Sequence, residues 1–222
     1  MADLRTLITA IDGILQDPEY GEQKIVDRIN DALQTIAAGV RMPDGGISPP
    51  LPDLLDYDTV VTTAAAYASL PSDFQRNVVM VLDSSGNIIS PPRGGGYQAF
   101  SLFLNQSSDK RLTETGSVYR VCSRGTRLYY QGVPSSPETL SLHFYRKPAT
   151  LFLDGDIPEG IPEHLAQDLL KHGVIKEIYG DVIEAGVTEP SKGTEHHTRR
   201  FYELLTDLCD FVGIPDAEPQ YY

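Results

Sequence analysis

Residues 41–55, RMPDGGISPPLPDLL, hold four prolines and two glycines. Proline lacks the backbone N–H and glycine loses the most freedom on ordering, so no regular element survives that density. The segment divides the chain into parts that follow different hydrophobic periods.

Before it the period is helical. Leu4, Leu7, Ile8, Ile11, Ile14 and Leu15 fall on one face of a first helix. Asp17-Pro18 ends that helix, because a residue before proline avoids the helical region. A second helix is predicted from about Glu22 to Val40. Ile25, Ile29, Leu33, Ile36 and Val40 form its stripe, with Val26 and Ala37 beside it. The short connection predicts an antiparallel pair.

After it the runs shorten. DTVVTTAAAYA, NVVMVLD, AFSLFLN, SVYRVCS, TRLYYQG and TLSLHFYRK are rich in β-branched and aromatic residues and bounded by turn residues. They predict six strands of a small antiparallel module. In the last of them Leu140, Leu142 and Phe144 share a face. LPSDFQR, between the first two, reads as a turn or one helical turn capped by Ser72.

Helical spacing then returns. Pro162 suits a first helical position. Leu165, Leu169, Val174, Ile178 and Val182 follow, widened by Leu170, Ile175, Tyr179 and Ile183. A last helix, from near Thr194, is lined by His197, Phe201, Leu204, Leu205, Leu208 and Val212, with Gly213 just past its end. Neither helical pair can bury its apolar face alone. The expected fold is α+β: a four-helix bundle of the N- and C-terminal pairs with an inserted antiparallel β-module. The expected segments are 1–57, 58–150 and 151–222, the third packing with the first.

Charge is spread unevenly. The net value is −13, yet residues 58–150 balance at +3 and the remainder at −16. An acidic globule does not coat itself with nucleic acid. Cys122 and Cys209, the only cysteines, have no zinc spacing and read as packing residues of a reducing compartment. The N-terminus lacks the basic-then-apolar pattern of a signal peptide. No run approaches the roughly 18 apolar residues of a membrane helix.

The sequence offers no catalytic group, cofactor site or metal site. Gly94-Gly95-Gly96 lacks the surroundings of a phosphate loop and reads as a flexible tip. His196 and His197 are adjacent and so diverge on a helix, which leaves them and His172 structural. Asp154, Asp156 and Glu159 lie in DGDIPEGIPE, a lead-in to a helix, where acids are favoured by the dipole. No GxSxG or HExxH occurs.

One constellation points to contact with another molecule. Arg120, Arg124 and Arg127 are interleaved with Tyr119, Tyr129 and Tyr130. Arginine and tyrosine are enriched at protein interfaces, the same pair can grip a nucleic-acid backbone, and a solvated hairpin would also carry them. The C-terminal IPDAEPQYY, with Tyr221 and Tyr222, is either an arm or a frayed end.

Several stretches together resemble the head-to-tail adaptor, or connector, proteins of tailed bacteriophages, particularly the short-tailed phages. They are the helical pair ending in VDRINDALQTIA, AYASLPSDFQR, the strand pair RLYYQGVPSSPETLSLHFYRKPATLFLDGDIPEGIPEHLAQDLLKHGVIKEIY, and the last helix with HHTRRFYELL. They cover most of the chain; the GGG-containing middle of the β-module has no counterpart. The resemblance implies a non-enzymatic virion protein of the neck or tail, made in the host cytoplasm. It implies a homo-oligomeric ring, a dodecamer, docked under the portal protein, with the β-module toward a tail tube or nozzle protein. Double-stranded DNA would pass non-specifically through the channel. Asp154 to Glu163 and the C-terminal segment become candidates for portal contact. Rival expectations are another neck or tail-completion protein, a tail-associated hydrolase, or a carbohydrate-binding module, the last disfavoured by the absence of Trp.

Overall fold

The computed structural model describes residues 2–16, 20–105, 112–184 and 192–213. Five helices and two small antiparallel sheets make the chain α+β. It divides into two compact units, residues 1–54 with 147–214, and residues 55–146.

The first unit is helical. Helix α1, Leu4–Leu15, starts on Asp3, whose carboxylate accepts from the Thr6 amide at 2.8 Å. Helix α2 spans Glu22–Ala38 and ends at Gly39. Leu4, Leu7, Ile8 and Ile11 of α1 and Ile25, Ile29, Leu33 and Ile36 of α2 are buried. Ile14 is 40% exposed, so the α1 stripe is a residue shorter than its spacing predicts.

The proline-rich segment is not free of the helices. The Ser48 hydroxyl accepts from the Val40 amide and the Ser48 amide donates to the Val40 carbonyl, closing a small loop. A 3-10 turn follows at Pro52–Leu54. Leu51 and Leu54 are buried in the helical core. Two apolar side chains therefore anchor a segment whose backbone makes no long element.

The second unit begins with strand β1, Leu55–Val61, then β2, Tyr67–Ser69, and β3, Phe74–Leu82. Helix α3, Phe100–Asn105, is followed by β4, Arg120–Arg124, β5, Arg127–Gln131, and β6, Thr139–Arg146. The strands form two sheets, ordered β1-β6-β3 and β2-β5-β4. Leu140, Leu142 and Phe144 are fully buried and share a core with Val60, Val78, Val81, Val121, Leu128 and Tyr130.

Three strand expectations change. DTVVTTAAAYA is not one strand: it breaks after Val61 and resumes at Tyr67 in the other sheet. Phe74 to Arg76 belong to β3, whose register shifts between Phe74 and Met80, with Asn77 at φ 48° inside the irregular stretch. AFSLFLN is helix α3, not a strand. Its aromatic content suits a sheet, but Phe103 must enter the core, and one helical turn brings it there fully buried.

Helix α4, Glu163–Glu184, begins after Pro162, whose carbonyl accepts from Leu165 and Ala166. Helix α5 is Lys192–Val212. Leu165, Leu169, Leu170, Val174, Ile175 and Ile178 of α4 join Phe201, Leu204, Leu205 and Leu208 of α5 in the core that also holds the α1 and α2 stripes. Val182 and Ile183, expected on the α4 stripe, lie where side chains are outside the described residues.

Candidate assembly surfaces

The β2-β5-β4 sheet sorts its side chains by alternation. Leu128 and Tyr130 of β5 face the core. Arg127 and Tyr129 turn to the other face, opposite Arg124 and Cys122 of β4 and beside Tyr67 of β2. There the Arg124 guanidinium stands 4.6 Å over the Phe100 ring. Phe100 is 4.9 Å from Tyr129, Tyr129 is 5.8 Å from Tyr67, and Arg127 lies 4.3 Å over Tyr67. Three rings thus form an arc with a guanidinium at each end. Arg120 sits farther along β4, 6.0 Å over the Tyr119 ring. Among the described residues no carboxylate pairs with Arg120, Arg124 or Arg127. Each is held instead against an aromatic face, which orders the guanidinium and leaves its hydrogen-bonding edge open.

Tyr130, expected on this surface, is a core residue of the chain. It is fully buried. Its hydroxyl accepts from the Thr63 amide at 2.7 Å and lies 2.6 Å from the Ala65 carbonyl. Alternation alone places it opposite to Tyr129. Cys122, beneath the arc, is buried, and burial pushes its thiol up to about 12. It stays protonated and packs as a small apolar residue.

Gly94-Gly95-Gly96 lies three residues before α3, and Gly94 is exposed with open space around it. A Cβ on Gly95 would lie 2.5 Å from the Ala99 Cβ and 2.9 Å from the Leu102 Cδ1, so Gly95 itself stands close against the start of α3.

A second surface lies on the loop between β6 and α4. Phe152 is 77% and Leu153 71% exposed. Two adjacent large apolar side chains in water would be unremarkable on a frayed loop, but this one is pinned. The Asp156 carboxylate accepts from the Phe152 and Leu153 amides at 2.7 and 2.8 Å. Those bonds hold its carboxyl below the usual carboxylate range. Asn30 of α2 accepts from the Leu151 amide and donates to the Leu151 carbonyl. The Asp156 and Asp154 carbonyls accept from the Leu4 and Arg5 amides at 2.8 and 3.0 Å. Asp154 and Asp156 therefore serve the start of α1 through their backbone, rather than the start of α4 through their charge. Glu159 accepts from the Ala149 amide. The sequence gives no hint of the Phe152-Leu153 knob, because exposure of two apolar residues depends on bonds from α1 and α2.

The three histidines come together across α4 and α5. His172 Nδ1 and His197 Nδ1 are 2.8 Å apart, and the His196 ring is 5.8 Å from that of His172. Among the described residues no group of three or more His, Cys, Asp or Glu could hold a metal ion. No helix among them is long and apolar enough to cross a membrane. Tyr221 and Tyr222 lie outside the described residues.

A protein whose distinctive surfaces are a stacked arginine–aromatic arc and a braced apolar knob has the features of a chain that binds other chains. A family model for SU10 adaptor proteins matches residues 2–217, nearly the whole sequence, and the chain belongs to that family. It is a structural adaptor of the bacteriophage head-to-tail type and a virion component. No curated protein matches it.

Proposed function

We propose that this adaptor assembles as a closed dodecameric ring between the portal protein and a tail tube or nozzle protein, leaving a channel for double-stranded DNA. The family match over residues 2–217 carries the proposal. The four long helices act as one bundle that forms the ring wall, and the β-module, residues 58–150, faces the tail. The segments 1–57 and 151–222 work as a single body.

Interface physics supports this reading. A heterologous contact whose rotation closes makes a ring from identical copies. Such a contact needs apolar anchors held in place before binding, since ordering a floppy loop would consume the gain. Phe152 and Leu153, exposed on a loop tied to both α1 and α2, meet that requirement. The loop from Asp154 to Glu163 continues this surface toward the portal. A channel wall with a net charge of −13 per copy repels DNA rather than gripping it, which suits passage.

The test is mass. The purified chain is measured by native mass spectrometry alone and after mixing with portal rings. Addition of twelve copies per portal is the expected result. A chain that stays unbound in the presence of portal would remove the proposal. Phe152→Ser with Leu153→Ser should reduce binding without shifting the thermal midpoint, because both side chains are exposed.

A further inference from the structure

We propose that the paired arginines at the end of the β4–β5 hairpin form a binding site for two carboxylates on an acidic segment of a partner protein. Arg124 ends β4, Arg127 begins β5, and the two are direct partners across the hairpin. Residues opposite each other in an antiparallel pair have Cα atoms about 5 Å apart, and like charges placed there repel. Both side chains are exposed, and among the described residues neither meets a carboxylate. An anion that reaches both guanidiniums relieves that repulsion.

The platform is built before any ligand arrives. In the turn, the Thr126 carbonyl accepts from the Leu70 amide at 2.9 Å, and the Ser123 amide donates to the Tyr97 carbonyl at 2.7 Å. Arg124 is held over Phe100 at 4.6 Å and Arg127 over Tyr67 at 4.3 Å, so neither guanidinium has much freedom left to lose. Tyr129 stands between those rings, 4.9 Å from Phe100 and 5.8 Å from Tyr67. Two to four residues of extended chain, at about 3.3 Å each, cover that row. The half-buried Tyr129 ring suits an apolar or small residue between the two carboxylates.

The open part of each arginine is the edge of its fork, not the ring beneath it. A carboxylate matches that edge with two parallel hydrogen bonds. A nucleobase fits less well, because each outer ring already carries a guanidinium over one face. A duplex also brings a negative charge for roughly every 1.7 Å of its length, toward a chain whose net charge is −13. A short acidic segment brings only the charges that the two arginines take up.

The reading above sets the β-module toward the tail, and this site adds what a partner there must carry. The experiment uses the full chain alone, so it can fail while portal binding succeeds, and the reverse. The probe is a capped peptide with two glutamates separated by one residue, followed through the arginine Nε–H resonances. Arg124 and Arg127 should shift together and saturate, with a midpoint below about 1 mM at moderate salt. Arg5, Arg28 and Arg146, already paired with Glu22, Asp181 and Asp56, should not move. Arg124→Gln should weaken the peptide about tenfold, the loss of one charge-assisted contact, and keep the parent's thermal midpoint. Shifts that grow in proportion to peptide across all the arginines, or that a glutamine peptide reproduces, would overturn the proposal. So would a short DNA duplex that saturates the same two resonances at a lower concentration than the peptide.

Discussion

His172 Nδ1 and His197 Nδ1 lie 2.8 Å apart between α4 and α5, a distance at which only one of the two nitrogens can carry a proton. Burial pushes His172 down to about 4, helped by the nearby His197 and Lys171 and opposed by Asp168. Burial and His196 also lower His197. The Tyr179 ring lies 6.1 Å from that of His197 on the same side of the contact.

A base whose folded value lies below its unfolded value of 6.5 takes up its proton first in the unfolded chain. Stability is therefore full above about pH 6.5, falls as pH drops through the window, and levels off below about 4. With solvent screening allowed for, His172 should account for about 1–2 kcal/mol of that loss. Urea titrations at pH 7.5, 5.5 and 4.5 would measure it. His172→Gln retains a hydrogen-bond partner for His197 and should flatten the profile; an equally steep profile in the variant would place the titrating group elsewhere.

The Tyr130 hydroxyl accounts for the break between β1 and β2. Besides the Thr63 amide and Ala65 carbonyl, it lies 2.9 Å from the Thr63 carbonyl and 3.2 Å from that of Tyr67. Tyr130→Phe keeps the ring and removes the hydroxyl that gathers those part-buried groups. A hydrogen bond of this kind contributes about 0.5–1.5 kcal/mol, so the unfolding free energy should fall by that amount, read as a lower urea midpoint with an unchanged slope. A loss below about 0.3 kcal/mol would mean that water replaces the hydroxyl.

How far the sequence could be followed depends on the range of the interaction. Ile25, Ile29, Leu33 and Ile36, or Leu140, Leu142 and Phe144, are buried because period alone assigns their face. Helix α3 is different: six residues are too few for a helical period to show, and Phe103 decides by reaching the core. The run from Asp58 to Ala68 is split by Tyr130, more than sixty positions away. At the candidate surface, the outward arginines follow from alternation. Phe100 and Tyr67, which hold them, come from elements distant in sequence, and the apolar knob depends on Asn30 of α2.

Gly132 follows β5 at φ 80°, and a Cβ there would stand 2.0 Å from the Ser117 carbonyl oxygen. Both the backbone conformation and the space exclude a side chain, and the obstacle is backbone rather than a movable rotamer. Gly132→Ala should cost more than about 2 kcal/mol, at the upper end of ordinary single substitutions. The readout is the thermal midpoint, with circular dichroism to confirm that the β-sheet signal survives at low temperature. A midpoint within a degree of the parent would mean that residues 117 and 132 do not approach as described.

Strand β1 is an edge of its sheet among the described residues. The Thr62 amide donates to the Glu138 carbonyl, which fixes the phase of the ladder: even-numbered residues of β1 bond to β6 and odd-numbered amides point outward. Two of those outward amides are occupied. Asp56 accepts from the Tyr57 amide at 2.8 Å and Asp58 from the Thr59 amide at 2.6 Å. Both carboxylates sit on the core-facing side of the strand, opposite Phe144 and Leu142, where a charge discourages a second strand from closing over the edge. Leu55, Tyr57 and Val61 are exposed on the other side, so an unguarded edge would be adhesive. Asp56→Thr with Asp58→Thr frees the amides, removes the charges and raises strand propensity. Light scattering should then show mass that grows with protein concentration between micromolar and millimolar, with no such growth in the parent. Asp56→Asn with Asp58→Asn keeps an acceptor for each amide while removing the charge, and should fall between the two. If the threonine variant scatters like the parent, the aspartates are not what keeps this edge from pairing.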